Sequence, residues 1–355
     1  MRLINTFTLE FEEFFDSEIP EYAILSHCWG KDEVSFQGFV RGSRRQTAGY
    51  QKIADCCRLA KQHSLDWAWV DTCCIDKTSS AELSEAINSM FRWYEQAAVC
   101  YVFLSDFTKG DNAAKFSDCR WFTRGFTLQE LLAPTNMIFF DAHLSELGTR
   151  ESLAARLSQA TTIPNVYLTK SGSFRRACIA QRMSWASSRQ TSRSEDIAYC
   201  LLGLFDVSMP LLYGEGTTRA FTRLQHQIIA QSTDESIFAW TAENGNIPRG
   251  LISRSPSEYA SCQHIFRLPM ITPRPPFNST DKGVEISAAA LMAPDWLTPL
   301  LPTRYHSAEV FLDCGAYYTS QRSHSMSIVL QRAQGGDGSW FRTKANEPRV
   351  FRTRM

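Results

Sequence analysis

The feature that most constrains the fold is a series of short, almost uninterrupted apolar runs in the first half of the chain. Four such runs occur, at Tyr22–His27, Trp67–Asp71, Val99–Leu104 and Met137–Phe140. None shows the strict alternation of a strand with one solvated face. Each is therefore predicted to be a strand covered on both faces, as in a parallel sheet.

Amphipathic segments separate these runs. In the first, Tyr50, Ile53, Cys57 and Ala60 share one helical face. The second carries apolar residues at helical spacing from Leu83 to Tyr94, and Ser79 with Glu82 three residues later forms a capping-box pattern at its start. Alternating strands and helices predict right-handed crossovers and a three-layer α/β sandwich.

The character of the chain changes twice after the last of these runs. Helical patterns dominate from about residue 146 to 240, and prolines then cluster at Pro269, Pro273, Pro275 and Pro276 among short alternating runs. We expect an α/β core over residues 1–145, a helical part over 146–240 and a smaller, mostly β C-terminal region over 241–355.

Composition excludes several classes of protein. The 37 Lys and Arg residues balance 37 Asp and Glu residues, so the charge footprint of a general nucleic-acid binder is missing. No apolar run approaches the ~18 residues that span a bilayer, and Glu10, Glu12 and Glu13 argue against a signal peptide. The 11 cysteines show no CxxC spacing, which predicts reduced thiols, no metal site and a cytoplasmic protein.

Polar side chains follow the predicted strands where each one ends. Ser26, His27 and Trp29 lie at the end of the first, and Asp71 and Asp76 follow the second. In an open α/β sheet, ligands bind outside the carboxyl ends of the strands, so these residues are candidate ligand-binding groups. The alternatives are that Asp71 caps a loop and that His27 is a hydrogen-bonded core histidine.

A denser candidate is the segment 120–134. Phe126 and Glu130 are four residues apart and share a helix face, close to Arg120 and Arg124. The arginines are suited to the phosphates of a sugar–phosphate ligand and the carboxylate to its ribose hydroxyls. The alternative is a helix packed by three leucines, with Glu130 paired to one of the arginines.

Gly214-Glu215-Gly216 precedes another helical pattern. Such a turn is able to hold an anion at the helix N-terminus. The missing third glycine and the helical segment before the turn favour a structural role.

Several of these strings, in this order, resemble the HET (heterokaryon incompatibility) domain of filamentous fungi over about residues 1–240. The strings are Met1–Thr6, Tyr22–Gly30, Trp69–Lys77, Ser84–Phe91, Arg120–Pro134, Met183–Ala186, Glu195–Gly203 and Met209–Gly216. The remainder is similar to the extension that often follows HET domains. The resemblance implies non-self recognition between fused cells, programmed cell death, and a remote relation to the TIR fold, a flavodoxin-like α/β sandwich.

Some TIR domains hydrolyse NAD with a glutamate on a helix, in a Trp-x-x-x-Glu pattern. Phe126 to Leu131 resembles that string, which implies that Glu130 is catalytic and that NAD is a substrate, with no other cofactor. Phe126 would stack on the ligand, Arg120 or Arg124 would contact its diphosphate, and Ser26, His27 and Trp29 would form the opposite wall.

Two positions depart from the family pattern. HET domains usually have Trp where this chain has Phe126, and commonly Thr where it has Cys28. Two other readings therefore stay open. One is a non-enzymatic module that acts by self-association or by recruiting other incompatibility or signalling proteins, and the other is an inactive relative.

Overall fold

The structure is a computed structural model that describes residues 1–43, 45–169, 172–242, 250–267, 278–280, 283–285, 290–291, 307–319, 322–332, 340–343 and 349–352. The chain divides into two compact units. The first comprises Met1–Ser173 with Tyr199–Leu211, and the second comprises Phe174–Ala198 with Leu212–Met355. The proline cluster predicted from the sequence lies outside the described residues.

The strands, in chain order, are β1 (Arg2–Asn5), β2 (Phe11–Glu13), β3 (Tyr22–His27), β4 (Trp67–Trp69), β5 (Val99–Phe103), β6 (Met137–Phe140), β7 (Glu146–Thr149), β8 (Ile265–Arg267), β9 (Asn278–Thr280), β10 (Gly283–Glu285), β11 (Ala290–Leu291), β12 (Ser307–Thr319), β13 (Arg322–Arg332), β14 (Trp340–Thr343) and β15 (Arg349–Arg352).

The α-helices are α1 (Phe36–Val40), α2 (Ala48–Gln62), α3 (Asp71–Cys74), α4 (Ser80–Gln96), α5 (Ala113–Ser117), α6 (Thr127–Leu132), α7 (Ala154–Thr161), α8 (Asn165–Leu168), α9 (Ile179–Ser184), α10 (Asp196–Tyr199) and α11 (Thr217–Gln231). Short 3-10 helices occur between them, including Arg120–Thr123 immediately before α6.

A mixed, seven-stranded sheet forms the centre of the first unit, in the order β2-β1-β4-β3-β5-β6-β7. The four predicted strands pair in parallel as β4-β3-β5-β6. β1 pairs antiparallel with both β2 and β4, and β7 pairs antiparallel with β6. The sequence predicted the parallel centre correctly, but it did not predict the antiparallel strands at the edges.

Among the four parallel strands, the direction of the chain across the sheet reverses once. From β3 it crosses to β4 on one side and then returns past β3 to β5 on the other. With right-handed crossovers, this reversal places α2 on one face and α4 and α6 on the other. The contacts agree, because α2 packs on β3 and β4 whereas α4 packs on α6. The switch point, where ligands bind in such sheets, lies between β3 and β5.

Burial explains why these runs form strands. Every residue of β3 and β5 is buried, as expected for strands with a helical layer on each face. β4 is shorter than predicted and ends at Trp69, because Asp71 opens helix α3.

The start of α4 follows half of the predicted capping box. The Ser79 hydroxyl accepts a hydrogen bond from the Glu82 backbone N–H, at 3.3 Å. The Glu82 carboxylate does not return to Ser79. Its Oε1 accepts the Asp76 N–H at 2.7 Å and pairs with Arg2 at 2.8 Å, which joins the loop before α4 to β1.

The second unit contains antiparallel β structure. β8 and β11–β15 form one sheet in which β12 and β13 are central, and β9 pairs with β10.

All 11 cysteines are buried and none forms a disulfide. Burial raises the pKa of each of several thiols, including Cys56 and Cys73, well above its ordinary value. Such thiols pack as small hydrophobic groups. Among the described residues, no helix has the length and apolarity needed to cross a membrane, and no cluster of metal-ligating side chains is present.

Candidate functional site

Glu130 lies on α6 and reaches β3 next to the switch point of the sheet. The Ser26 hydroxyl donates a hydrogen bond to Glu130 Oε2 at 2.5 Å, and the Trp121 indole Nε1 donates to the same hydroxyl at 2.8 Å. Glu130 is only 8% exposed, and Ser26 and Trp121 are fully buried. The Ser26 hydroxyl therefore links a buried indole to a buried carboxylate and holds α6 against the strand.

Tyr94, near the end of α4, is the next group around Glu130. Its hydroxyl donates to the Leu25 carbonyl at 2.8 Å. Burial raises the pKa of Tyr94 well above its ordinary value, and the neighbouring Glu130 charge adds to the effect. The phenol therefore stays protonated and able to donate. Ser26, Trp121 and Tyr94 thus place three hydrogen-bond donors near Glu130.

A second cluster occupies the ends of β3 and β4. His27 Nε2 lies 3.4 Å from Asp71 Oδ1, and the Trp29 indole donates to Asp71 Oδ2 at 2.9 Å. Lys77 Nζ lies 3.7 Å from Asp71 Oδ2 and 3.5 Å from the centre of the Trp29 ring. Burial by itself would raise the pKa of Asp71, but Lys77, His27 and Trp29 outweigh it and lower that pKa to about 2.

Trp29 combines exposure with a fixed orientation. Its side chain is 44% exposed. Asp71 holds its N–H, Lys77 covers its ring, and its backbone carbonyl accepts a hydrogen bond from Arg120 Nη2 at 2.7 Å. A flat ring held in this way is suited to stacking on a ligand or on a partner.

Arg120 connects this cluster to the loop after β5. Its backbone N–H donates to Asp106 Oδ2 at 2.8 Å, and its side chain is exposed. Arg124 and Phe126 are half-buried, and Phe126 immediately precedes α6. Burial raises the pKa of Cys28 to about 11, against the opposing charge of Arg120, so this thiol is neutral at physiological pH.

The structure thus places most of the predicted residues in two adjoining groups. Ser26 and Glu130 are joined directly, and His27, Trp29 and Asp71 form the second group, to which Arg120 is bonded. Asp76 is engaged differently. Its Oδ1 accepts hydrogen bonds from Gln37 Nε2 and from both the backbone and the hydroxyl of Thr78, a local turn arrangement.

Sequence reasoning did not assign a site role to Trp121, Tyr94 or Lys77. The sequence pattern places Tyr94 on the apolar face of α4. Its hydroxyl, which needs a hydrogen-bond partner when buried, was the signal for a polar role. Trp121 lies within the segment 120–134, and its N–H was the corresponding signal.

The Gly214-Glu215-Gly216 turn binds an anion that belongs to the chain itself. Glu195 Oε1 accepts the N–H groups of Gly214 and Gly216, at 2.8 and 3.0 Å. The backbone N–H of Glu195 itself, together with those of Gly216 and Gly214, lowers the pKa of Glu195 to about 2. The turn therefore has the structural role that the sequence favoured.

Comparison with known proteins shows which family the sequence is similar to. Residues 22–113 match the family model described as "Heterokaryon incompatibility protein (HET)". The chain is thus similar to HET proteins. It is 47% identical over 221 residues to the vegetative incompatibility protein HET-E-1 of Podospora anserina, and this alignment covers 59% of the chain but only 16% of HET-E-1. No solved structure matches the chain.

The HET family match covers only some of the candidate site residues. It includes Ser26, His27, Trp29 and Asp71, and it ends before Arg120 and Glu130. The resemblance to HET proteins read from the sequence is thus confirmed over residues 22–113, and the roles of these side chains stay predictions.

Replacing Ser26 by Ala is expected to lower the free energy of unfolding by about 2 kcal/mol, because a buried indole N–H loses its acceptor and Glu130 loses a donor. Urea unfolding of both proteins measures the change. Ser43→Ala is the control, because the Ser43 hydroxyl donates to Gly38 O in an exposed position. Equal stability of the two variants would contradict a stabilising role for the Ser26 hydroxyl between Trp121 and Glu130.

Asp71→Asn is expected to destabilise the protein in a pH-dependent manner. The folded pKa of about 2 lies below the ordinary value of 3.8, so the charge stabilises the fold above about pH 4 and loses that effect as the pH falls towards 2. We expect a loss of about 2 kcal/mol at neutral pH and a smaller loss near pH 3.

Urea midpoints of Asp71→Asn and wild type at both pH values measure this difference. Asp118→Asn, at an exposed carboxylate, provides the baseline. A stability difference that is the same at both pH values would show that the Asp71 charge is not the source.

Proposed function

We propose that this chain acts in heterokaryon incompatibility, as an effector of non-self recognition that triggers programmed cell death in the cytoplasm. The similarity to a vegetative incompatibility protein over 221 residues carries this proposal. In it, residues 1–240 form the HET domain and residues 241–355 form the extension that follows it. The chain would act together with other incompatibility or signalling proteins and by self-association.

The proposal includes a TIR-like, flavodoxin-like α/β core. Its support is the order of the four parallel strands. Taken in chain sequence, they lie in the order second, first, third, fourth, which is also how the flavodoxin-like order begins. Glu130 is bonded to Ser26 on the first of these strands, next to the switch point.

The proposed chemistry is hydrolysis of the nicotinamide–ribose bond of NAD. Nicotinamide leaves with the bonding electron pair, water adds to the ribose C1′, and a proton is released with ADP-ribose. Glu130 would bind the ribose hydroxyls and stabilise the developing oxocarbenium ion through its negative charge. Ser26 would set the position of the Glu130 carboxylate, since its only donor hydrogen is already used in that bond and Trp121 fixes the hydroxyl from the other side.

The other candidate residues would bind the remaining parts of NAD. Arg120 and Arg124 are suited to the diphosphate, Phe126 and Trp29 supply aromatic faces, and Asp71 holds the Trp29 indole in place. Phe126 keeps the stacking surface of the tryptophan usual in the family but offers no N–H donor.

The decisive experiment is incubation of the purified full chain with NAD, with nicotinamide release followed by chromatography. Release well above a buffer blank supports the proposal. No release at high protein concentration would exclude the enzymatic part and leave the incompatibility role to be tested in cells.

A non-enzymatic assembly function is the second candidate. The observation in its favour is that Glu130 is buried and bonded to Ser26, as a structural carboxylate would be. A cell-death assay in a fungal host separates the two functions. Death that persists in Glu130→Ala but is lost in variants that do not self-associate would favour assembly.

A further inference from the structure

A cavity of about 330 Å³ lies in the first unit, where β5 and β6 begin. Val99 and Met137, which begin β5 and β6, form part of its wall, and Leu168 of α8 closes another side. Its polar lining includes Asn136, Thr149 and Arg150. This volume is at the lower end of the range for small-molecule sites, and the mixed lining is typical of them.

Arg150 is the group that gives this cavity a chemical preference. Its Nη1 donates to the Leu131 carbonyl at 2.9 Å. Within the part of the chain that the structure describes, its Nε and Nη2 donate no hydrogen bond and no carboxylate forms an ion pair with it. Burial lowers the pKa of Arg150 from its ordinary value, and the neighbouring Glu151 charge offsets only part of that effect. One edge of the guanidinium is therefore available for a bidentate contact with an anion.

We propose that this cavity binds a small monocarboxylate with an apolar body, and that Arg150 pairs with its carboxylate. The apolar wall of Val99, Met137 and Leu168 suits a hydrocarbon chain or ring. The exposed Glu151 also lines the cavity, and it acts on Arg150 through its charge without forming an ion pair with it. Its negative charge disfavours a dianion such as a phosphate monoester more strongly than a singly charged carboxylate.

The site has a direct connection to α6. The Leu131 carbonyl that Arg150 holds is near the C-terminus of that helix, one residue after Glu130. A cation at a helix C-terminus satisfies free carbonyls. A ligand that repositions Arg150 would therefore act on the helix that carries Glu130, although binding itself does not depend on any catalytic role of Glu130.

Ligand-observed NMR titration of the full chain tests this proposal, with hexanoate as the probe and with hexanol and hexyl phosphate as comparisons. We expect hexanoate to bind more tightly than either comparison. Arg150→Gln should weaken hexanoate binding about tenfold or more, because a charge-assisted pair is lost. Arg150→Lys keeps the positive charge but cannot make a bidentate contact. Its affinity for hexanoate should lie between those of wild type and Arg150→Gln.

Glu151→Gln is a second test variant, which leaves the hydrogen bond between Arg150 and the Leu131 carbonyl in place. Removing this exposed charge should strengthen hexyl phosphate binding several-fold and change hexanoate binding less. Equal binding of hexanoate and hexanol, or no effect of Glu151→Gln on hexyl phosphate, would overturn the proposal even if Arg150→Gln failed to fold. No hexanoate binding up to its solubility limit would also overturn it.

Discussion

Glu130→Gln is expected to reduce the proposed NAD hydrolysis by about 10³-fold, with little change in KM. The amide oxygen of Gln can still accept the Ser26 hydroxyl, so the packing of α6 on β3 should be kept. What is lost is the negative charge that would face the positive charge developing on the ribose. Nicotinamide release under single-turnover conditions measures this loss directly.

Glu85→Gln is the matched control, because it makes the same change at an exposed position on α4. It should leave the rate unchanged. Wild-type activity in Glu130→Gln would remove Glu130 from the mechanism while leaving the hydrolysis itself established. Loss of both activity and unfolding cooperativity would instead assign Glu130 a structural role.

Gly203→Ala is expected to give the largest loss of stability, about 3 kcal/mol or more. A Cβ at this position would lie 1.9 Å from Phe91 Cβ and 2.4 Å from its Cγ. Neither atom is at the end of a flexible side chain, and Phe91 is buried on α4. The backbone of α4 or of the Gly203 turn would have to move.

Urea unfolding of Gly203→Ala tests this expectation, with Gly30→Ala as the control in the same unit. A Cβ at Gly30 would make only an ordinary contact, 3.6 Å from Glu33 Oε1. We expect Gly30→Ala to unfold close to wild type. Similar midpoints for the two variants would show that the turn at Gly203 can move away from Phe91 at little cost.

The parts of the fold that the sequence predicts well are those whose signal is local. β3 and β5 are continuous apolar runs because helices cover both faces, and α4 carries its pattern over several turns. The edge strands β1, β2 and β7 are short and only partly buried, so their sequences carry no comparable pattern. Their positions depend on pairing with distant strands.

In the candidate site, too, single residues are predictable from local sequence, whereas contacts between distant residues are not. Ser26 and Glu130 were each identified from local context, but the hydrogen bond between them joins residues 104 positions apart. No spacing rule reports such a contact. Conversely, Asp76 follows a strand like the other candidates, yet its carboxylate is satisfied by Thr78 two residues later, because Asp readily bonds its own turn.

The antiparallel strands at both edges of the main sheet restrict how copies of this chain are able to associate. β1 covers the free side of β4 and β7 covers that of β6, so each parallel strand has its backbone groups paired on both sides. The outermost strand at one end, β2, has only three residues and includes Glu12 and Glu13, whose charges discourage intermolecular strand addition. Strand addition at the β2 edge is therefore disfavoured, which opposes filament growth through a continuous intermolecular sheet of this unit, since such a sheet has to pair both edges.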